Sequence, residues 1–284
     1  MKRNIHLSNR FVFPHRDILL LLPGLFGFGL FYLYPLFSMP YYAMILSNFD
    51  QKFVGFSHFF RIMNNRYFRL AVKNTVSFSV IASFLSVIIA FFLTLFFRKV
   101  LSNVFLQSAF IIPLLLPSAS VCIIFQSIFS KDGVLSFFEF LGMLSLDRLS
   151  LYSFFLWKYT GVNILIILSG FSHFPLFVEE AADIDGTSPI KKVCYIILPM
   201  LRPTLVFAFV YSLSNSFKSF KESYVMFGDY PVSQVYQIQN YMNNHFKKLD
   251  YQSLSAAALM FFVSIAFLIA LGFVWERRFS KGVY

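Results

Sequence analysis

Charge is what this chain lacks most. Of its 284 residues, 13% are Asp, Glu, Lys or Arg, about half the ~25% of a soluble domain. A water-soluble core could not hide a composition that is 58% hydrophobic with 41 Phe; a bilayer can. Cysteine is scarce. Cys122 lies in an apolar run and Cys194 in a loop beyond Gly186, so the two sit at different depths, which argues against a disulfide. There is no CxxC pair and no His/Cys cluster, so no metal site is expected. No Gly is followed by Lys anywhere, which excludes a P-loop of the form GxxxxGK[ST]. No acid falls well inside an apolar run, which weighs against a pump driven by an ion gradient. No Ser/His/Asp set or carboxylate pair stands out, so an enzyme is a poor reading.

What charge there is sums to +11. The basic residues are scattered between apolar runs and form no stripe or nucleic-acid-binding signature. Lys and Arg beside membrane spans set topology and meet anionic headgroups. Lys2, Arg3, Arg10 and Arg16 precede the first apolar run. With no small-residue cleavage site at the usual distance, that run is expected to be a retained signal-anchor.

A helix needs about 20 apolar residues to cross the hydrocarbon. The pattern predicts an all-α integral membrane protein with six spans, at about 18–40, 74–97, 104–130, 151–172, 203–221 and 254–275. Backbone groups must be satisfied internally in lipid, so every span should be helical. The fifth is the weakest. Only 15 uncharged residues separate Arg202 from Lys218, and both ends must snorkel. Residues 1–17 and 276–284 are the expected cytoplasmic termini, with 18–275 the six-span transmembrane domain. The 24 Lys and Arg split evenly between the two sides, but the inside segments are shorter, so charge density favours cytoplasmic termini.

The loop at 173–202 gathers four acids into a short stretch: Glu179, Glu180, Asp183 and Asp185. Pro175 suits the start of a short helix, and early acids favour its N-terminus. Gly186 can take the left-handed conformation that ends a helix. Ser188 can cap a second helix with Pro189 at its first position. Pro199 and Pro203 break the chain before span five. The product is helix, glycine turn, helix, with Ala181 and Ala182 leaving room for close approach by a partner groove. A solvated loop with incidental charges is the competing reading.

The run EEAADIDGTSPIKKVCYIILPMLRP resembles the "EAA" signature of permease subunits of binding-protein-dependent ABC importers. That pattern reads E-A-A, three residues, Gly, then a gap closing on I-x-L-P. Glu180, Ala181, Ala182, Gly186, Ile196, Leu198 and Pro199 fill it. Leu22-Pro23-Gly24, Phe31 to Leu36, Phe53 to Phe56 and Lys73-Asn74-Thr75 are similar to the carbohydrate-type members, the maltose and glycerol-3-phosphate importers. Phe227-Gly228-Asp229-Tyr230-Pro231 departs from their Gly-Gly-Pro turn. The resemblance implies a type I (MetI-like) permease core forming half of a channel for a sugar or oligosaccharide in a bacterial cell membrane. It implies three partners besides lipid: a second EAA-type permease, a cytoplasmic ABC ATPase dimer and an extracellular or periplasmic solute-binding protein. No cofactor is expected on this chain, with ATP and Mg on the ATPase. The coupling residues it implies are Glu179, Glu180, Ala181, Ala182, Asp183, Asp185, Gly186 and Pro199. The alternatives are the same architecture importing glycerol-3-phosphate or another small polar solute, and a non-transporting scaffold.

Ser212, Asn215, Ser216 and Ser219 recur at one helical face of span five. In the resembling maltose-type permeases, the matching places line the sugar path. Hydroxyls and amides suit a carbohydrate, but they also glue membrane helices together. Tyr159 and Asn163 on span four are further path candidates. Lys218, Lys221, Glu222 and Asp229 are expected at the outer end of span five, where they could meet a binding protein; anchoring at the membrane interface is the simpler alternative and the one favoured. His58, His173 and His245 are expected at the surface.

Overall fold

The computed structural model describes residues 15–98, 100, 103–130, 133 and 145–280. Lys2, Arg3, Arg10, Lys99 and Lys281 lie outside them, with most of the expected N-terminal segment and the last four residues. Among the described residues the regular structure is helical. In chain order the helices are α1 (His15–Phe28), α2 (Tyr34–Met44), α3 (Ser57–Met63), α4 (Arg66–Phe97), α5 (Val104–Leu115), α6 (Ser118–Ile128), α7 (Leu146–Ser172), α8 (Leu176–Ile184), α9 (Pro189–Lys192), α10 (Leu198–Ser216), α11 (Phe220–Phe227), α12 (Ile238–Lys247) and α13 (Tyr251–Ser280). Five stretches are long and apolar enough to cross a membrane. A sixth exists if α5 and α6, bent by 86° at their junction, count as one.

Local chemistry places the breaks. Asn65 caps α4 by accepting from the Tyr67 and Phe68 amides, and Asn103 caps α5 through the Phe105 amide, the usual use of a short polar side chain at a helix start. The expected single span at 104–130 is broken because Leu116 is extended ahead of Pro117, as the residue before a proline prefers. Pro199 and Pro203 do not break the chain before span five as expected: the helical run continues from Pro189 to Ser216, with Pro203 inside α10. It ends at Ser216, short of the expected 221, so Lys218 and Lys221 fall beyond α10 and are exposed. Spans two and four start earlier than expected, at Arg66 and Leu146.

Two π-helical segments, Gly29–Leu33 and Val193–Ile197, each end two residues before a proline, Pro35 and Pro199. Proline supplies no donor and its ring crowds the carbonyl four residues back, and a widened turn accommodates both.

The centre is a three-helix contact of α4, α7 and α10. On α4 the buried face is a ladder of small residues: Ala71, Thr75, Ser79, Ala82, Ser86, Ala90 and Thr94. Small side chains let membrane helices approach closely, so contact comes from backbone packing rather than from expelling water. On α7, a Cβ added at Gly161 would sit 2.1 Å from the Phe110 carbonyl oxygen, so glycine is what lets α5 cross there. Val87, Phe91, Ile164, Ile167, Ile197 and Leu201 fill the core nearest the acidic loop. The first span lies outside that centre: α2 packs against α13, with Ala43 as its buried residue.

Candidate functional site

The acidic loop folds as helix, turn, helix. α8 starts after Pro175 and ends at Asp185, whose N–H donates to the Ala181 carbonyl at 2.9 Å. Gly186 follows at φ +68°, a conformation that costs a side-chain-bearing residue roughly 1–2 kcal/mol. Its N–H reaches the Asp183 carbonyl, and the Thr187 N–H donates to Ala182 at 3.0 Å, which satisfies the carbonyls a helix end leaves open. Ser188 stands at the start of α9 without a side-chain capping bond. Lys192 Nζ donates to Asp183 Oδ1 at 2.5 Å across the turn.

The four acids divide. Glu179 turns inward, is buried, and takes a bidentate pair of hydrogen bonds from Arg98, one of 2.6 Å to Oε1 and a second to Oε2. Arg98 also lies over the Phe171 ring at 5.0 Å. Its hydrogen bonds hold the Glu179 carboxyl below the usual carboxylate range, outweighing the opposing effect of burial. Ala182 is buried beside it. Glu180, Ala181, Asp183, Asp185 and Gly186 are exposed, and so are Phe177, Ile184, Ile190 and Tyr195. The outer surface of the loop is thus acidic with four large apolar side chains, anchored from beneath by Glu179. Phe177 and Ile184 lie outside the candidate spans, and large apolar side chains left open there are unusual for a surface that meets only water.

The polar stripe on α10 lies mostly inside the protein. Asn163 Nδ2 donates to Ser86 Oγ at 2.8 Å and to Ser212 Oγ at 2.7 Å, so one amide ties α4, α7 and α10 together. Ser216 is buried and donates to the Leu213 carbonyl, whereas Ser219, expected on the same helical face, lies beyond the end of α10, buried and donating to the Ser216 carbonyl. Asn215 is half-buried and bonds the Tyr211 carbonyl. Tyr159 is buried among Phe78, Ala82, Leu151 and Phe155.

Glu222 was expected at the outer end of span five, as an interfacial anchor or a contact for a binding protein. It is instead buried, 2.7 Å from Lys158 Nζ, which also donates to Ser118 Oγ at 2.7 Å. A lysine on α7 and an acid on α11 therefore neutralise each other, as charges out of water must. Asp229 is likewise engaged, with Lys247 at 2.5 Å. His58, expected at the surface, is buried and hydrogen-bonds the Ile45 carbonyl at 2.8 Å. Cys122 is buried and Cys194 exposed.

The profile of the family described as "Binding-protein-dependent transport system inner membrane component" matches residues 82–283. Among curated proteins, the chain is 30% identical to the arabinooligosaccharides transport system permease protein AraP of Bacillus subtilis (strain 168), over 72% of this chain and 69% of that one. It is 25% identical to the sulfoquinovosyl glycerol transport system permease protein SmoG of Agrobacterium fabrum, over 87% and 86%. It is 26% identical to the trehalose/maltose transport system permease protein MalF of Thermococcus litoralis, over 76% and 77%. In fold it superposes on a chain of a bacterial ABC transporter that imports the acidic polysaccharide alginate, with a TM-score of 0.75 at 21% identity, over 93% and 96% of the two chains. With the acidic turn, the membrane helices and these matches agreeing, the chain belongs to the binding-protein-dependent transport system inner membrane component family, and it is an ABC transporter permease rather than an enzyme.

Proposed function

We propose that this chain forms half of the translocation path of an ATP-driven importer for a sugar or short oligosaccharide. A second EAA-type permease would form the other half, and a solute-binding protein would deliver the cargo. A cytoplasmic ATPase dimer would supply the energy and hold the ATP and Mg. The observation that carries this reading is the outer face of α8 and the glycine turn. Glu180, Asp183 and Asp185 stand there beside exposed Phe177 and Ile184. An acidic rim around apolar anchors suits a basic, grooved partner. Glu180, Ala181, Asp183, Asp185 and Gly186 would contact the ATPase; Glu179, Ala182 and Pro199 would set the angle at which they are held. ATP can shift the permease only through a difference in affinity between its two states, and a loop anchored to α4 through Arg98 can pass such a difference to the spans. Cytoplasmic termini follow from the same placement.

The sugar assignment draws on relatives that carry arabinooligosaccharides, trehalose and maltose in their names. Permeases named for sn-glycerol-3-phosphate, 26% identical, keep a phosphorylated polyol as the second reading. The α10 stripe offers hydroxyls and an amide without charge, which suits a neutral solute. Asn215 is its accessible member and the residue here assigned to meet the cargo.

The test substitutes Glu180→Lys and Gly186→Val in the whole transporter. Both variants should still insert and pair with the second permease, yet lose ATPase co-purification and at least tenfold of sugar uptake, a change of about 1.4 kcal/mol or more in coupling. Uptake and co-purification at the unsubstituted level in both variants would refute the docking assignment.

A further inference from the structure

A groove of about 430 Å³ runs between α4 and α13, floored by Phe217 and Ile238, and the importer mechanism makes no use of it. Its walls are apolar: Val72 and Val76 on α4, Phe261, Ile265 and Leu268 on α13. The hydroxyls that reach it are already satisfied. Thr75 Oγ1 donates to Ala71 and accepts from the Ile238 amide, and Ser264 donates to Met260. A sugar would therefore find almost no hydrogen-bond partner inside.

Two cations, Arg69 and Lys73, line the same groove, and both are exposed. They are four residues apart on α4, one turn of helix, so they stand together. Among the described residues neither has a carboxylate within salt-bridge distance. Arg61 and Lys247 nearby in sequence to other parts of this end are paired, with Asp250 and Asp229. The depth fits a headgroup. α4 has 32 residues, about 48 Å at 1.5 Å per residue, against roughly 30 Å of hydrocarbon. The helix is thus longer than the hydrocarbon is thick, and the three cations Arg66, Arg69 and Lys73 in its first turns mark that end as one that reaches the headgroup layer.

We propose that this groove is a binding site for one anionic phospholipid, its phosphate held by Arg69 and Lys73 and an acyl chain laid between α4 and α13. Charge complementarity selects this occupant. A helix of another subunit would cover the walls but leave two cations facing apolar surface.

The test uses the full chain in phosphatidylcholine vesicles doped with a photoreactive phosphatidylglycerol or with the matching photoreactive phosphatidylcholine. The labelled peptides are then mapped. Labelling of the 68–76 and 260–268 segments by the glycerol lipid should exceed that by the choline lipid. Arg69→Gln with Lys73→Gln should remove that preference by on the order of tenfold, since each cation near an anionic surface is worth about fivefold. Arg69→Lys should restore most of it, and Arg66→Gln, outside the groove, should leave it intact. Equal labelling by the two lipids, or a preference unchanged in the double variant, overturns the proposal. So does a Ser264→Cys variant that crosslinks to the second permease in the assembled transporter, because the groove would then hold protein. None of these readouts depends on transport or on the ATPase.

Discussion

Glu179 and Glu180 are neighbours with opposite surroundings, and the difference decides what each can do. Glu179 is held inward by Arg98, while Glu180 is free at the surface. Because the folded Glu179 carboxyl titrates below its ordinary value of about 4.3, it binds fewer protons folded than unfolded. The pair therefore stabilises the loop fully at neutral pH, and that stability is lost as pH falls through the folded value below about 4.3. Thermal unfolding of the purified chain should show an advantage over Glu179→Gln at pH 7 that shrinks on acidification below that value; a gap constant with pH would contradict the pairing. The Lys158–Glu222 pair makes a sharper prediction. Both side chains are under a tenth exposed, so Lys158→Ala leaves a buried carboxylate without its partner and should cost about 3–5 kcal/mol. Replacing both, as Lys158→Met with Glu222→Leu, should recover most of that loss in the same unfolding assay. A single variant as stable as the parent would mean that the pair carries no weight.

At the scale of elements, glycine and small residues set how closely the helices approach. Gly161→Ala forces α5 away from α7, because the new methyl would meet a backbone oxygen that cannot rotate aside. The expected loss is about 1–3 kcal/mol, as for other overpacked sites, read as a lowered Tm; an unchanged Tm would place the α5–α7 contact elsewhere. The same scale separates what the sequence makes legible from what it does not. The acidic loop was readable because its signals are local: Pro175 opens the helix and Gly186 turns it, whereas the break expected at Pro199 and Pro203 is absent because a widened turn carries the helix past Pro199. Lys158 and Glu222 are 64 residues apart, and no window along the chain joins them. The buried Glu179 was hidden for the same reason, since Arg98 lies 81 residues away. The α4 ladder from Ala71 to Thr94 was not read from the sequence, where the apolar side chains between its members mask the spacing. The α10 stripe was seen, but its periodicity cannot tell a face packed on Asn163 from one that meets water, because both favour Ser and Asn.

For the whole molecule, the fold places a rigid acidic turn at one end of a tightly packed three-helix centre. One amide, Asn163, links α4, α7 and α10, and Arg98 carries α4 to the turn. A push on the turn therefore reaches all three helices through contiguous contacts, the kind of network able to move as two discrete arrangements. The first span contributes little to that centre, and its apolar outer surface is left to lipid or to a partner subunit. The orientation of the turn is the claim on which the rest stands, and Cys194 reports it without any substitution, being exposed beside α9 while Cys122 is buried. A membrane-impermeant maleimide should leave Cys194 unmodified in intact cells and modify it in inverted membrane vesicles. Modification from outside intact cells would put the acidic turn on the wrong side of the membrane to meet an ATPase.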